Sequence, residues 1–273
     1  MPMFNTAAAS PDNVPPLLFP DEPPPFERIA GGNPSVLFAC DHASARIPRA
    51  LGTLGLEERD RARHIAWDIG AAEVARLLAA RFDAPCVLAR YSRLAIDLNR
   101  APHDPTLIPA ISDRTIIPGN RDLAANDIQR RIDALFRPYH QVLGEAMGEL
   151  CRQTPAPALI AVHSFTPVFK DEQRPWHFGV LWDGRDGRIA EPLLKNLQAQ
   201  PDLCVGDNEP YSGRDRYAFT VDHHARRHGF PHVGIETRQD LIEDKAGAAR
   251  FAAILGDALA PILSDPALCI VQK

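Results

Sequence analysis

The sequence predicts an α/β domain with one central sheet, mostly parallel or mixed, flanked by helices. From Ser35 onward, short apolar runs alternate with segments of helical periodicity. The 273 residues are 45 % hydrophobic, enough to bury a sizeable core. No internal repeat or linker divides the chain after its first residues, so residues 29–273 are expected to form a single domain.

Residues 1–28 differ in character. They hold eight of the 26 prolines, and this density excludes helix and central strand. The expectation is a tail, or an extended arm packing Leu17, Leu18 and Phe19 onto this subunit or a neighbour. Val36–Cys40 then reads as a buried strand. Ile69–Phe82 reads as a helix with Val74, Leu77 and Leu78 at helical spacing. Cys86–Ala89 and Leu94–Leu98 read as two further strands. A helix is expected over Leu123–Leu150, with Ile128, Ile132, Leu135, Tyr139 and Leu143 on one face and a kink at Pro138. Leu159–Val162 and Phe178–Trp182 read as strands, Ile189–Leu197 as a helix, and Tyr217–His228 as a helix stopped by Gly229 and Pro231. Val233–Glu236 is the last predicted strand and Lys245–Leu263 the last helix.

Charge and cysteine usage narrow the function classes. Thirty basic against 35 acidic residues leave a net charge of -5, which supplies no general field for nucleic acid. Apolar runs such as Ala158–Val162 are shorter than the roughly 18 residues of a membrane span, so no membrane role is expected. The N-terminus lacks the basic and apolar regions of an export signal. Five widely spaced cysteines without a CxxC pair suggest neither a disulfide frame nor a cysteine zinc site, and a cytoplasmic location is expected.

In open α/β sheets the ligand crevice lies beyond the carboxyl ends of the strands. Four polar positions fall there: Asp41-His42, Asn99-Arg100, His163-Ser164 and Glu236. Two imidazoles on one sheet edge suit a transition metal, because zinc takes nitrogen ligands and needs only one or two more. Capping of each strand by its own histidine is the plainer alternative. His224 and His228 share a helical face, which reads as solvated surface beside Arg226 and Arg227. Neither a GxSxG elbow nor a Walker A or GxGxxG sequence is present, which leaves serine, ATP and dinucleotide chemistry without support.

The segments CDHASARIP, HIAWDIGA, YSRLAIDLNR, IIPGN, RPYH, AVHSFTP, NEPYSG and VGIETRQDLI, in this order, resemble the N-formylglutamate amidohydrolase family over about residues 35–242. That family is related to the zinc carboxypeptidases, and the resemblance implies a zinc-exopeptidase, phosphorylase/hydrolase-like fold. It implies His42 and His163 as metal ligands for one zinc per chain, Asn99 and Arg100 as binders of a substrate carboxylate, and Glu236 as general base. Arg93 and Ser164 are placed with the substrate-binding residues. Carboxypeptidases follow their first histidine with a glutamate three residues on, where this chain has Ala45. The missing carboxylate is assigned first to Asp68, then to Asp41; the alternative for Asp68 is a helix N-cap.

The implied activity is zinc-dependent hydrolysis of a small-molecule N-acyl amino acid, with N-formylglutamate as first candidate. A carboxylate-binding protein without catalysis is the rival expectation. The acyl group is not specified, since one methylene in an apolar pocket changes affinity by only about 1–3 kcal/mol. A homo-oligomer is left open.

Overall fold

The computed structural model describes residues 16–214 and 218–272; the first part of the proline-rich segment and Tyr217 lie outside them. The central sheet has seven strands: β1 (Phe26–Ile29), β2 (Val36–Cys40), β3 (Cys86–Ala89), β4 (Ala158–Phe165), β5 (Phe178–Leu181), β6 (Val205–Asp207) and β7 (His232–Arg238). Their spatial order is β1-β3-β2-β4-β7-β5-β6. Strands β3, β2, β4 and β7 run parallel, while β1 and β5 pair antiparallel with β3 and β7, and β6 runs parallel to β5. The sheet is therefore mixed, with a parallel centre.

Alternation along the buried strands feeds two helical layers. Val36, Phe38 and Cys40 face the helices α1 (Ala71–Phe82), α4 (Ala190–Gln198) and α6 (Lys245–Leu263). Leu37 and Ala39 face α3 (Arg137–Cys151), which follows α2 (Ala125–Arg131), and α5 (Phe219–His224). By length and composition α6 is apolar enough to cross a membrane, a feature that reading the apolar runs passes over. Here Phe251, Leu255 and Leu259 lie in the core.

Three expectations need correction. Leu94–Leu98 is not a strand but a buried loop. Ser92 and Asp97 capture backbone amides that a strand would offer to a neighbour: the Ser92 hydroxyl accepts from the Leu94 N–H at 3.1 Å and Asp97 accepts from the Asn99 N–H at 3.0 Å. The helix expected over Leu123–Leu150 begins at Ala125 and is interrupted at Ile132–Phe136 by a π-helical segment just before Pro138, whose ring nitrogen has no hydrogen to donate. Finally, His224 is not solvated; it is buried and stacked on His140 at 5.3 Å between ring centroids.

The proline-rich stretch joins the fold before its predicted end. Leu17 is buried against the α3 side of the sheet, Leu18 packs beside it, and β1 begins at Phe26 as an edge strand.

Candidate active site

Strand order reverses around β2, since β3 lies on one side of it and β4 on the other. This is the topological switch point at which an α/β sheet opens a crevice. Asp41-His42 leave the end of β2, and His163 lies near the end of β4. In β7, Glu236 is paired in parallel register with His163, so the two side chains emerge on one face.

Asp68 completes the cluster. It sits ahead of α1, whose N-cap is Gly70, and its side chain caps nothing. Gly70 has φ +79° and lies so close to the Ile242 carbonyl that an added Cβ would stand 2.1 Å from that oxygen. The chain turns there, and the Asp68 N–H donates to the His42 carbonyl at 2.9 Å. One Asp68 oxygen then lies 3.3 Å from His42 Nδ1 and 2.9 Å from His163 Nδ1. Candidate ligating atoms of His42, Asp68 and His163 all lie within 4.8 Å of one another, and all three residues are buried.

The second nitrogen of each imidazole faces a carboxylate. His42 Nε2 is 2.8 Å from Asp97 and His163 Nε2 is 3.6 Å from Asp41. Carboxylates behind the outer nitrogens fix tautomer and ring direction, the usual setting of histidine ligands. Two nitrogens and one carboxylate oxygen, converging and backed in this way, fit a divalent metal such as zinc. Of the two carboxylates the sequence left open, Asp68 is the one among the imidazole Nδ1 atoms; Asp41 stands behind His163.

Electrostatics follow from this crowding. Burial opposes the charge on Asp68 and Asp97, yet His42 and His163 around the first, and Arg93 and His42 around the second, hold both carboxyls well below the usual range. Burial pulls His163 down, but its hydrogen bond to Asp68 and the charges of Asp68, Glu236 and Asp41 together outweigh this and raise it to about 9. Glu236 departs from the other two carboxyls: burial, reinforced by the Asp68 charge, lifts it to about 7. One Glu236 oxygen is buried with no hydrogen-bond partner among the described residues. Arg238, two residues on in the same strand, donates to Asp240 at 2.8 Å.

The remaining site residues are placed as follows. Arg93 gives two hydrogen bonds to Asp97, at 2.7 and 3.2 Å, and reaches Asp68 at 3.4 Å, so its guanidinium balances the buried carboxylates. The Ser164 hydroxyl donates to the Ile69 carbonyl at 2.8 Å, bracing the turn that carries Asp68. Asn99 Oδ1 accepts the Thr220 N–H at 3.0 Å, and Arg100 Nε lies 3.8 Å from Asp97. Sequence reasoning missed Asp97, Tyr139 and Thr220. For Asp97 a signal existed: an aspartate inside the run LAIDL, if buried, requires a cationic or hydrogen-bonding partner.

The family model described as N-formylglutamate amidohydrolase matches residues 34–243. The chain belongs to the N-formylglutamate amidohydrolase family. A solved gene product of Agrobacterium tumefaciens is 36 % identical, with a TM-score of 0.86 over 91 % of this chain and 98 % of that one. The N-formylglutamate amidohydrolase of Ralstonia eutropha JMP134 shares the fold at 22 % identity and a TM-score of 0.65, over 88 % of this chain and 97 % of that one. No curated protein matches the chain. Within this hydrolase family, the chain carries a buried His-Asp-His site with the donor set and geometry to hold a metal.

Proposed function

We propose that this protein hydrolyses the amide bond of a small N-acyl amino acid, with one zinc held by His42, Asp68 and His163. N-formyl-L-glutamate is the first substrate to assay, formate and glutamate being its products. The observation that carries the reading is Glu236: a buried carboxyl beside a His-Asp-His cluster, with one oxygen that has no hydrogen-bond partner among the described residues and a pKa raised to about 7.

When bound, zinc supplies Lewis acidity, polarising the amide carbonyl and lowering the pKa of water from about 15.7 to about 7. Glu236 takes the proton of the attacking water and delivers it to the departing nitrogen. A carboxyl titrating near neutrality is suited to both halves of that transfer. Arg100 and Asn99 hold the substrate carboxylate, the guanidinium through a planar fork and the amide through its NH2 group. Arg93 keeps Asp97 ionised behind His42 and also reaches Asp68 at 3.4 Å.

The one sequence feature that favours a carboxylate-binding protein without catalysis is Ala45, which stands where carboxypeptidases place a glutamate. Asp68 meets both imidazoles, which removes that support. The test is an assay of N-formyl, N-acetyl and N-succinyl amino acids with and without zinc. Zinc-dependent release of the free amino acid is expected, and stoichiometric zinc uptake without turnover of any member would overturn the enzymatic reading.

A further inference from the structure

We infer that Asp41 is a positioning residue for His163, held in place by the hydroxyls of Tyr139 and Thr220. The inference rests on the metal-dependent reading above and concerns how this chain aims one of its own ligands.

Asp41 is fully buried. Arg93 pairs with both Asp68 and Asp97, whereas no arginine or lysine among the described residues forms an ion pair with Asp41. An isolated buried carboxylate is costly unless its oxygens are engaged. One oxygen is engaged twice: Tyr139 from α3 and Thr220 from α5 each donate a hydroxyl to Asp41 Oδ1 at 2.8 Å. Two directional bonds to one oxygen fix the carboxylate plane. The other oxygen, Oδ2, has no hydrogen-bond partner among the described residues and stands 3.6 Å from His163 Nε2. With a metal ion on its Nδ1 in place of a proton, the neutral His163 ring would carry its hydrogen on Nε2, the nitrogen that faces that oxygen. Asp41 thereby favours the tautomer in which Nδ1 offers its lone pair to a metal.

Thr220 allows a clean test, because its two contacts use different groups. Its hydroxyl serves Asp41, while its main-chain N–H serves Asn99. Thr220→Val deletes the first and keeps the second. Zinc affinity is measured on the full chain by chelator competition. Thr220→Val is expected to weaken binding about tenfold, the lower end of what loss of an outer partner costs. Thr220→Ser should restore it, and KM at saturating zinc should stay near the wild-type value. A Thr220→Val protein that folds and binds zinc within twofold of wild type would overturn the inference. If Thr220→Val does not fold, Tyr139→Phe removes the other donor and carries the same expectation, with unchanged affinity counting against the inference. If the wild-type chain takes up no zinc, the metal reading fails first, and that outcome is distinguishable from a wild type that binds zinc alongside an unaffected variant.

Discussion

His42 and His163 present the same ring nitrogen, Nδ1, to one oxygen of Asp68, across a ring-centroid separation of 5.2 Å. They come from different strands, and their outer nitrogens face different carboxylates. This convergence underlies the first prediction. His42→Ala and His163→Ala should each strip zinc from the purified protein, whereas Glu236→Gln should leave it near one ion per chain. Stoichiometric zinc in both alanine variants, read by elemental analysis, would place the metal elsewhere.

Glu236→Gln tests the proton transfer separately. The amide keeps the size of the carboxylate but cannot accept the water proton, so kcat should fall about 10²- to 10⁴-fold with KM little changed. A fall of less than about fivefold would take Glu236 out of the mechanism.

The parts legible in the sequence are those set by local pattern. Val36–Cys40, Cys86–Ala89 and Lys245–Leu263 are each found with the expected bounds, because a continuous apolar run or a helical stripe reports burial directly. Leu94–Leu98 has the same apolar content as a strand, and the difference lies in Ser92 and Asp97 diverting the backbone amides. His42 and His163 stood out because each follows or ends an apolar run. Asp41, Tyr139 and Thr220 meet only through the packing of α3 and α5 on one sheet face, and no spacing in the chain encodes that meeting.

Arg131 makes a prediction about stability. It is 2 % exposed, and its guanidinium donates to the carbonyls of Ala95 and Gly119 and to Asn120 Oδ1, tying α2 to the loop that carries Arg93 and Asp97. Arg131→Met would leave three acceptors without their donor, each costing about 1–3 kcal/mol when buried. Urea unfolding should show a loss of about 3 kcal/mol or more. A loss under about 1 kcal/mol would mean that the loop is held by other contacts.

The His140–His224 pair gives the fold an acid-sensitive point. Burial lowers His140 to about 4, and burial together with His140 lowers His224 to about 3, against an ordinary value of 6.5. The folded state keeps both rings neutral, so the unfolded chain binds protons first as pH falls. Their contribution is whole above about 6.5 and is lost progressively as pH falls toward about 4 for His140 and about 3 for His224. His42 and His163 act in the opposite sense, their contribution fading as pH rises above 6.5, so the informative quantity is a variant measured against wild type. The doubly substituted His140→Gln, His224→Gln protein should show a flatter Tm between pH 7 and 5. Parallel Tm profiles would remove the pair from the acid response.

A variant at Arg100 tests whether the proposed substrate is read through its carboxylate. Its guanidinium lies at the site rim, with Nε 3.8 Å from Asp97 and a side chain 22 % exposed, so it reaches both the buried charges and the crevice. A carboxylate held there by two charge-assisted bonds gains roughly 1.5–3 kcal/mol from each, and lysine cannot reproduce the planar fork. Arg100→Lys should therefore raise KM about tenfold or more, with kcat falling as well if orientation is lost. The sharper comparison sets an N-acyl amino acid against its carboxamide. Wild type should strongly prefer the acid, because the amide offers no charge to the guanidinium, and Arg100→Ala should erase most of that preference. An alanine variant that separates acid from amide as well as wild type does would show that another group reads the carboxylate, with Arg93 the nearest alternative through its position over Asp68 and Asp97.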